Sequence, residues 1–324
     1  MIIKKLKSLN NKIDDFLCED TKSILEKIHL IFKEKNFQGY LVGGIIRDIF
    51  LSKNTLDIDI VSPNFLEIGN YIINNFSVEK YRINENFLTF NIKLTNGINI
   101  DIASPRNEVY PFSGSLPIVS FCDIEDDVAR RDFSINSIYL NLQDFKIFDK
   151  FNGIEDIKNK KVKILHNKSF YDDPTRILRG IKFASRYNFS FDKGTDLLIK
   201  KAVDENYLEN ISSDRLRNEL LLLFKEKNIE SILYFLKDYN ILNFLNINID
   251  IKKIKEYIDF YNSLNEKIKE KFFIDYFENF LFIILFFSLN NQNRENLFKK
   301  FNISKKKIRK INEFFFYYLD ISTF

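Results

Sequence analysis

A chain of 324 residues has room for about two domains, and its 45% hydrophobic residues suffice for a sizeable core, which argues against a disordered class. With 49 basic against 45 acidic residues the net charge is only +4, so any nucleic-acid footprint has to be local. Two cysteines and two histidines argue against a disulfide framework and a Cys/His zinc site, and suit a reducing cytoplasm.

The opening MIIKKLKSLNNK is broken by charge too early for a signal peptide. Apolar residues at helical spacing predict a helix over 11–36, after which NFQGYLVGG reads as a turn feeding a short buried strand that stops at the glycines. A helix opens at Ile45. Strands are expected at DIDIV, FLTFNIKL and INIDIA, the last two joined by a turn at Asn96-Gly97. Beyond about residue 150 the strand signals fade and helix-period segments follow at 173–187, 194–204, 212–226, 229–238 and most of 251–319. The join falls near DKFNGIEDIKNKKVKIL. FLFIILFFSL at 280–289 is too short to span a membrane and reads as a buried helix, so no membrane partner is expected.

Side chains two apart on a strand share a face, so Asp57 and Asp59 project together, on the order of 7 Å apart at the backbone. Two such carboxylates stay ionised most readily with a cation between them, and an all-oxygen pair suits Mg²⁺. Capping at the strand end is the plainer alternative. Gly43 and Gly44 fall at a strand-to-helix turn, where missing Cβ atoms let a triphosphate approach backbone N–H groups, and Arg47 follows one turn in. Asp101, on the far strand of the expected hairpin, is a third carboxylate if that strand adjoins DIDIV, and a surface residue otherwise. In EDDVARRDFSINSIYL, Arg130 and Arg131 stand beside Asp132, with Asn136 four residues on. Adjacent arginines in an apolar stretch need anions: a substrate phosphate, or structurally Asp126 or Asp127.

YDDPTRILRGIKFASRYNF puts Asp173 at a helix cap and Pro174 at the first helical position. Arg176, Arg179 and Lys182 recur every three residues as a basic stripe, which a solvated charged face also explains. A carboxylate accepts from an exocyclic amine and a guanidinium donates to the neighbouring ring acceptor, so Asp173 with Arg176 is suited to choose C and A over U and G.

LVGGIIRD, LDIDIV, RRDFSINSIYL, FNGIEDI, DDPTRILRGIKFASRYNF and SSDRLRNELL, in that order over residues 37–225, resemble the motifs of the class II tRNA nucleotidyltransferases. That family comprises the CCA-adding enzymes, their CC-only and A-only variants and the bacterial poly(A) polymerases. The resemblance implies an α+β fold: a small mixed-sheet nucleotidyltransferase head of the DNA polymerase beta type (1–150), a helical neck that reads the base and binds RNA (151–225), and a shortened helical body and tail that bind tRNA (226–324). It implies two-metal transfer from CTP and ATP to the acceptor end of tRNA, with Mg²⁺ as cofactor and no role for DNA. Asp57 and Asp59 would hold the metals, with Asp101 or Asp132 completing the carboxylate set. Gly43, Gly44, Arg47, Arg130, Arg131, Asp132 and Asn136 would serve the nucleotide, and Asp173, Arg176, Arg179 and Lys182 its base. The sequence departs from the family at Asp172, where Glu is usual, and at Lys182, where Arg is usual. SPRNEVYPFSGSLPIVSF corresponds to the loop that helps the family switch from C to A addition, and its length argues against a CC-only enzyme. Full CCA addition, A-only addition and poly(A) synthesis share the head chemistry, and a catalytically silent RNA-binding protein is a further alternative. Arg215, Arg217 and SKKKIRK at 304–310 are candidates for RNA backbone contact, and a solvated helix face also explains the lysine run.

Overall fold

The computed structural model describes residues 1–245, 256, 291–306, 308, 309, 312 and 313. The chain divides into two units. One comprises Met1–Pro111, Leu116–Ser169 and Ser190–Thr195; the other Phe112–Ser115, Phe170–Phe189 and the described residues from Asp196 onward. The fold is α+β, with the main sheet confined to the first unit.

The first unit is organised by strands β1 (Tyr40–Val42), β2 (Asp57–Val61), β3 (Val78–Asn84), β4 (Thr89–Leu94), β5 (Asn99–Ala103), β6 (Arg106–Val109), β7 (Ile118–Phe121), β8 (Tyr139–Asn141) and β9 (Ile147–Phe148). Seven of them form one mixed sheet in the order β3-β4-β5-β2-β1-β8-β9, while β6 and β7 pair as a separate hairpin. Within the sheet only β2 and β5 run parallel. That pairing matters most, because it aligns Asp57 with Asn99 and Asp59 with Asp101.

Strand alternation decides which face carries chemistry. Ile58, Ile60, Phe90, Ile92, Ile100 and Ile102 are buried, each contributing about 1.5–3 kcal/mol by leaving water. The helix Phe65–Asn75 packs on this apolar side, where a Cβ at Gly69 would reach Phe90 at 2.0 Å. Asp57, Asp59, Asp101, Asn91 and Thr89 occupy the alternate positions.

The Asn96-Gly97 turn joins β4 to β5 as expected, with Gly97 at φ +87. Other boundaries differ. β4 begins at Thr89 because Leu88, at φ +52, ends a short 3-10 turn. The helix expected over 11–36 is interrupted: Ile13–Phe16 ends before the extended Cys18, and Glu19–Glu34 starts afresh with Glu19 and Asp20 in its first turn.

In the second unit the helix Thr175–Tyr187 packs against Ser213–Phe224 and Ile229–Asp238. Ile177, Leu178, Ile181, Leu216, Leu220, Leu223, Ile232 and Leu236 are all buried. Asn188, left-handed at φ +54, stops the first helix, and the Arg186–Glu226 ion pair ties its end to the chain beyond the second. The run at 280–289 and most of the helical stretch expected at 251–319 lie outside the described residues. Among the described residues no helix is long and apolar enough to cross a membrane.

Candidate active site

Gly43 ends β1 at φ +64 and ψ −124, a region that side-chain-bearing residues rarely enter. A Cβ there would stand 3.3 Å from both Arg131 Nη1 and Asp59 Oδ2. The next residue, Gly44, donates its N–H to Asp59 Oδ2 at 3.3 Å. The glycine turn and the β2 carboxylate are therefore one structure.

Arg47 is buried beneath that turn. It grips Asp48 with two nitrogens, at 3.0 and 3.1 Å, and donates to Asn136 Oδ1 at 2.5 Å. Asn136 in turn donates to Asp132 Oδ1 at 3.0 Å, which also takes the Phe133 N–H at 2.8 Å. These contacts make Arg47, Asn136 and Asp132 a connected rail holding the turn. Asp101, rather than Asp132, occupies the register position beside Asp59.

Among the described residues the three carboxylates have no ion-pair partner, and Arg131 acts on Asp59 only from a distance. Asp57 accepts from Asn99 Nδ2 at 2.8 Å and Asp101 from Asn91 Nδ2 at 2.6 Å, while none of the three makes an ion pair with a described residue. Burial, reinforced by the charge of Asp101, pushes the Asp59 carboxyl up to about 6 against the pull of Arg131 and the Gly44 N–H. Asp101 is also raised, by burial and by Asp57, with Asn91 opposing.

Arg130 and Arg131 share one anion, the fully buried Asp127. Arg130 reaches its Oδ1 at 2.7 and 3.0 Å and also binds Glu108 at 2.8 Å. Arg131 approaches Oδ2 at 3.5 Å, lies over the Tyr139 ring and donates to the Tyr139 hydroxyl, which itself donates to Asp127 Oδ2. Burial disfavours the Arg131 charge, yet Tyr139, Asp127 and Asp59 hold the guanidinium above its ordinary value. The structural ion pair weighed from sequence is thus present, with Asp127 as the partner; Asp126 instead has its N–H capped by Asp123. Both arginines also line a cleft of about 240 Å³ with Asp59, Asp101, Asn91 and Thr89.

Arg106 completes that lining and was not singled out by the sequence. It binds Glu108 and the Phe87 carbonyl, and its Nε is buried without a partner. Burial and neighbouring Arg130 hold its guanidinium below the usual value. Its place directly after the Asp101 strand was the available signal.

Among the described residues no three His, Cys, Asp or Glu side chains converge into a metal cage. Mg²⁺ does not need one, since it keeps waters and takes one or two carboxylates together with substrate phosphates. Two acidic side chains on one strand face, without an ion-pair partner among the described residues and with one carboxyl raised to about 6, fit that requirement.

In the second unit Asp173 does cap, one residue out of register with expectation: Pro174 is the N-cap and the helix begins at Thr175. Asp173 Oδ1 accepts from the Thr175 N–H at 3.1 Å, its hydroxyl at 2.6 Å and Arg215 Nη2 at 2.8 Å. No described residue donates to Oδ2. Arg176 and Lys182 are buried and Arg179 half-buried, so the stripe is not a freely solvated face. Burial, then the charge of Arg179, holds the Lys182 ammonium below its usual value. Arg217 pairs with Asp214 and donates to the Phe301 carbonyl, and SKKKIRK is only partly described.

Residues 39–163 match the family described as the Poly A polymerase head domain, and residues 188–250 that described as the probable RNA and SrmB-binding site of polymerase A. An A-adding tRNA nucleotidyltransferase of Aquifex aeolicus is 36% identical over 209 residues, 63% of this chain and 25% of that protein. A CCA-adding enzyme of Staphylococcus haemolyticus is 28% identical over 305 residues, 92% of this chain and 68% of that one. A solved structure of a CCA-adding enzyme, apo form II, superposes with a TM-score of 0.78 at 29% identity, over 96% of this chain and 73% of the other. The chain spans from about a quarter to about half the length of the A-adding relatives it matches.

Proposed function

This chain belongs to the class II tRNA nucleotidyltransferases, the family of the CCA-adding enzymes and bacterial poly(A) polymerases, and from that premise we propose that it adds nucleotides from CTP and ATP to tRNA 3′ ends without a template. The observation that carries the reading is Asp59: a carboxylate held against the glycine turn, level with Asp101 across a parallel strand pair, in a cleft rimmed by three arginines.

Asp57 and Asp59 would hold Mg²⁺, with Asp101 reinforcing the negative field. Bound there, Mg²⁺ would supply Lewis-acid polarisation of the attacking 3′-hydroxyl and charge neutralisation at the departing pyrophosphate. The chain's own part is to fix geometry. Gly43 and Gly44 admit the triphosphate to backbone N–H groups that a Cβ would obstruct, and the Arg47–Asn136–Asp132 rail keeps that turn in place. Arg131, charged at all working pH values, balances phosphate charge from the cleft wall, with Arg130 and Arg106 beside it. Asp173 takes the exocyclic amine of cytosine or adenine on Oδ2, and Arg176 donates to the adjoining acceptor, with Arg179 and Lys182 in support.

The A-adding relatives favour a second reading, addition of the terminal A alone. One experiment separates the possibilities: purified protein is offered tRNA lacking the whole CCA end, tRNA lacking only the final A, and complete tRNA, with CTP and ATP separately and together. Three-nucleotide repair means CCA addition, one-nucleotide extension of the second tRNA alone means A addition, and long homopolymers mean poly(A) synthesis. Absence of extension in all arms would overturn the enzymatic reading in favour of a silent RNA binder.

A further inference from the structure

Resting on the selecting role proposed for Asp173, we infer that Arg215 is a positioning residue for base choice, tying the base-reading carboxylate to the Phe112–Ser115 turn. Its Nη2 donates to Asp173 Oδ1 at 2.8 Å while its Nη1 donates to the Gly114 carbonyl at 2.8 Å and approaches the Ser115 carbonyl at 3.5 Å. A guanidinium is a rigid planar fork, so both partners are held in one orientation.

The effect on Asp173 is specific. Arg215 and the two donors of Thr175 all converge on Oδ1. Three donors on one oxygen fix the rotation of the carboxylate and leave Oδ2 as its available acceptor. With Arg215 gone, two donors from a single neighbouring residue remain, and a rotated carboxylate presents its acceptor at a different angle.

The turn is built to hold its place. Gly114 sits at φ +75, and a Cβ on it would come within 2.4 Å of the Asn210 carbonyl oxygen, so the approach is backbone to backbone and open only to glycine. Its N–H donates to the Asp172 carbonyl at 3.3 Å, the residue directly before the base reader. Ser113 and Ser115 are buried on either side. Selection thereby depends on a turn that lies some 60 residues earlier in the chain, and both Arg215 η-nitrogens take part in this link.

The test measures single-nucleotide incorporation with CTP, ATP, UTP and GTP offered one at a time, for wild type, Arg215→Gln, Arg215→Lys and Gly114→Ala. Arg215→Gln is expected to raise the ratio of incorrect to correct kcat/KM about tenfold, the scale of one degraded base contact, with the tRNA dissociation constant unchanged. Arg215→Lys keeps the charge and stem without the fork and falls between. Gly114→Ala moves the ratio in the same direction, and the double variant is no worse than Arg215→Gln alone. A merely structural role would slow correct and incorrect nucleotides by the same factor. An unchanged ratio in Arg215→Gln or, should that variant not fold, in Arg215→Lys, overturns the proposal, as does weakened tRNA binding with selection intact. A wild type that extends no tRNA instead removes the nucleotidyltransferase reading, and this inference with it.

Discussion

Asp59 and Asp173 are both partly buried carboxylates, and their surroundings are opposite. Asp59 has one backbone N–H for company, a like charge level with it on the next strand, and a carboxyl raised to about 6. Asp173 has a cation at 2.8 Å and three donors on one oxygen. The first arrangement leaves negative charge unbalanced, which suits a site completed by an arriving cation. The second is already complete, which suits an acceptor whose direction matters more than its charge.

The largest expected effect lies at the unbalanced pole. Asp57→Ala should lower kcat on the order of 10³-fold by removing transition-state stabilisation of several kcal/mol, while tRNA affinity measured by filter binding stays within about twofold; near-normal turnover would place the chemistry elsewhere. Next comes the structural anion. Asp127→Ala strips the shared partner from Arg130 and Arg131 and should cost about 3 kcal/mol in chemical denaturation, the scale for breaking a buried ion pair. A loss of turnover without a loss of stability would recast Asp127 as part of the site. Smaller still, Asp173→Ala should blur the preference for C and A over U and G by about 10- to 100-fold, with triphosphate KM little changed. If the preference survived, the base would be read by another element.

Much of this contrast was visible in the sequence where the chemistry repeats at a local period. Asp57 and Asp59 two apart on an apolar strand, the paired glycines and the Asn96-Gly97 turn each carry their own signal. Relations that depend on pairing distant strands were not legible. Asp101 meets Asp59 only because β2 and β5 run parallel, and nothing within either segment encodes that choice. β3, with the polar sequence VEKYRIN, lies at the sheet edge and shows no buried face to give it a period of two. Asp127 is one of three consecutive acids, and only packing decides which of them meets the arginines. For Arg215 the sequence shows a charge and not its partners, Asp173 and the Gly114 carbonyl.

Mn²⁺ titration followed by electron paramagnetic resonance is the direct test of whether the β2 carboxylates take a divalent cation. Because the Asp59 carboxyl is raised from 3.8 to about 6, it holds its proton to higher pH, so protons compete with the metal as pH falls through that value. Wild-type protein is predicted to bind Mn²⁺ at pH 7.5, to bind it more weakly at pH 5, and to lose most of that binding in Asp59→Asn. Equal binding by wild type and Asp59→Asn at pH 7.5 would contradict the account.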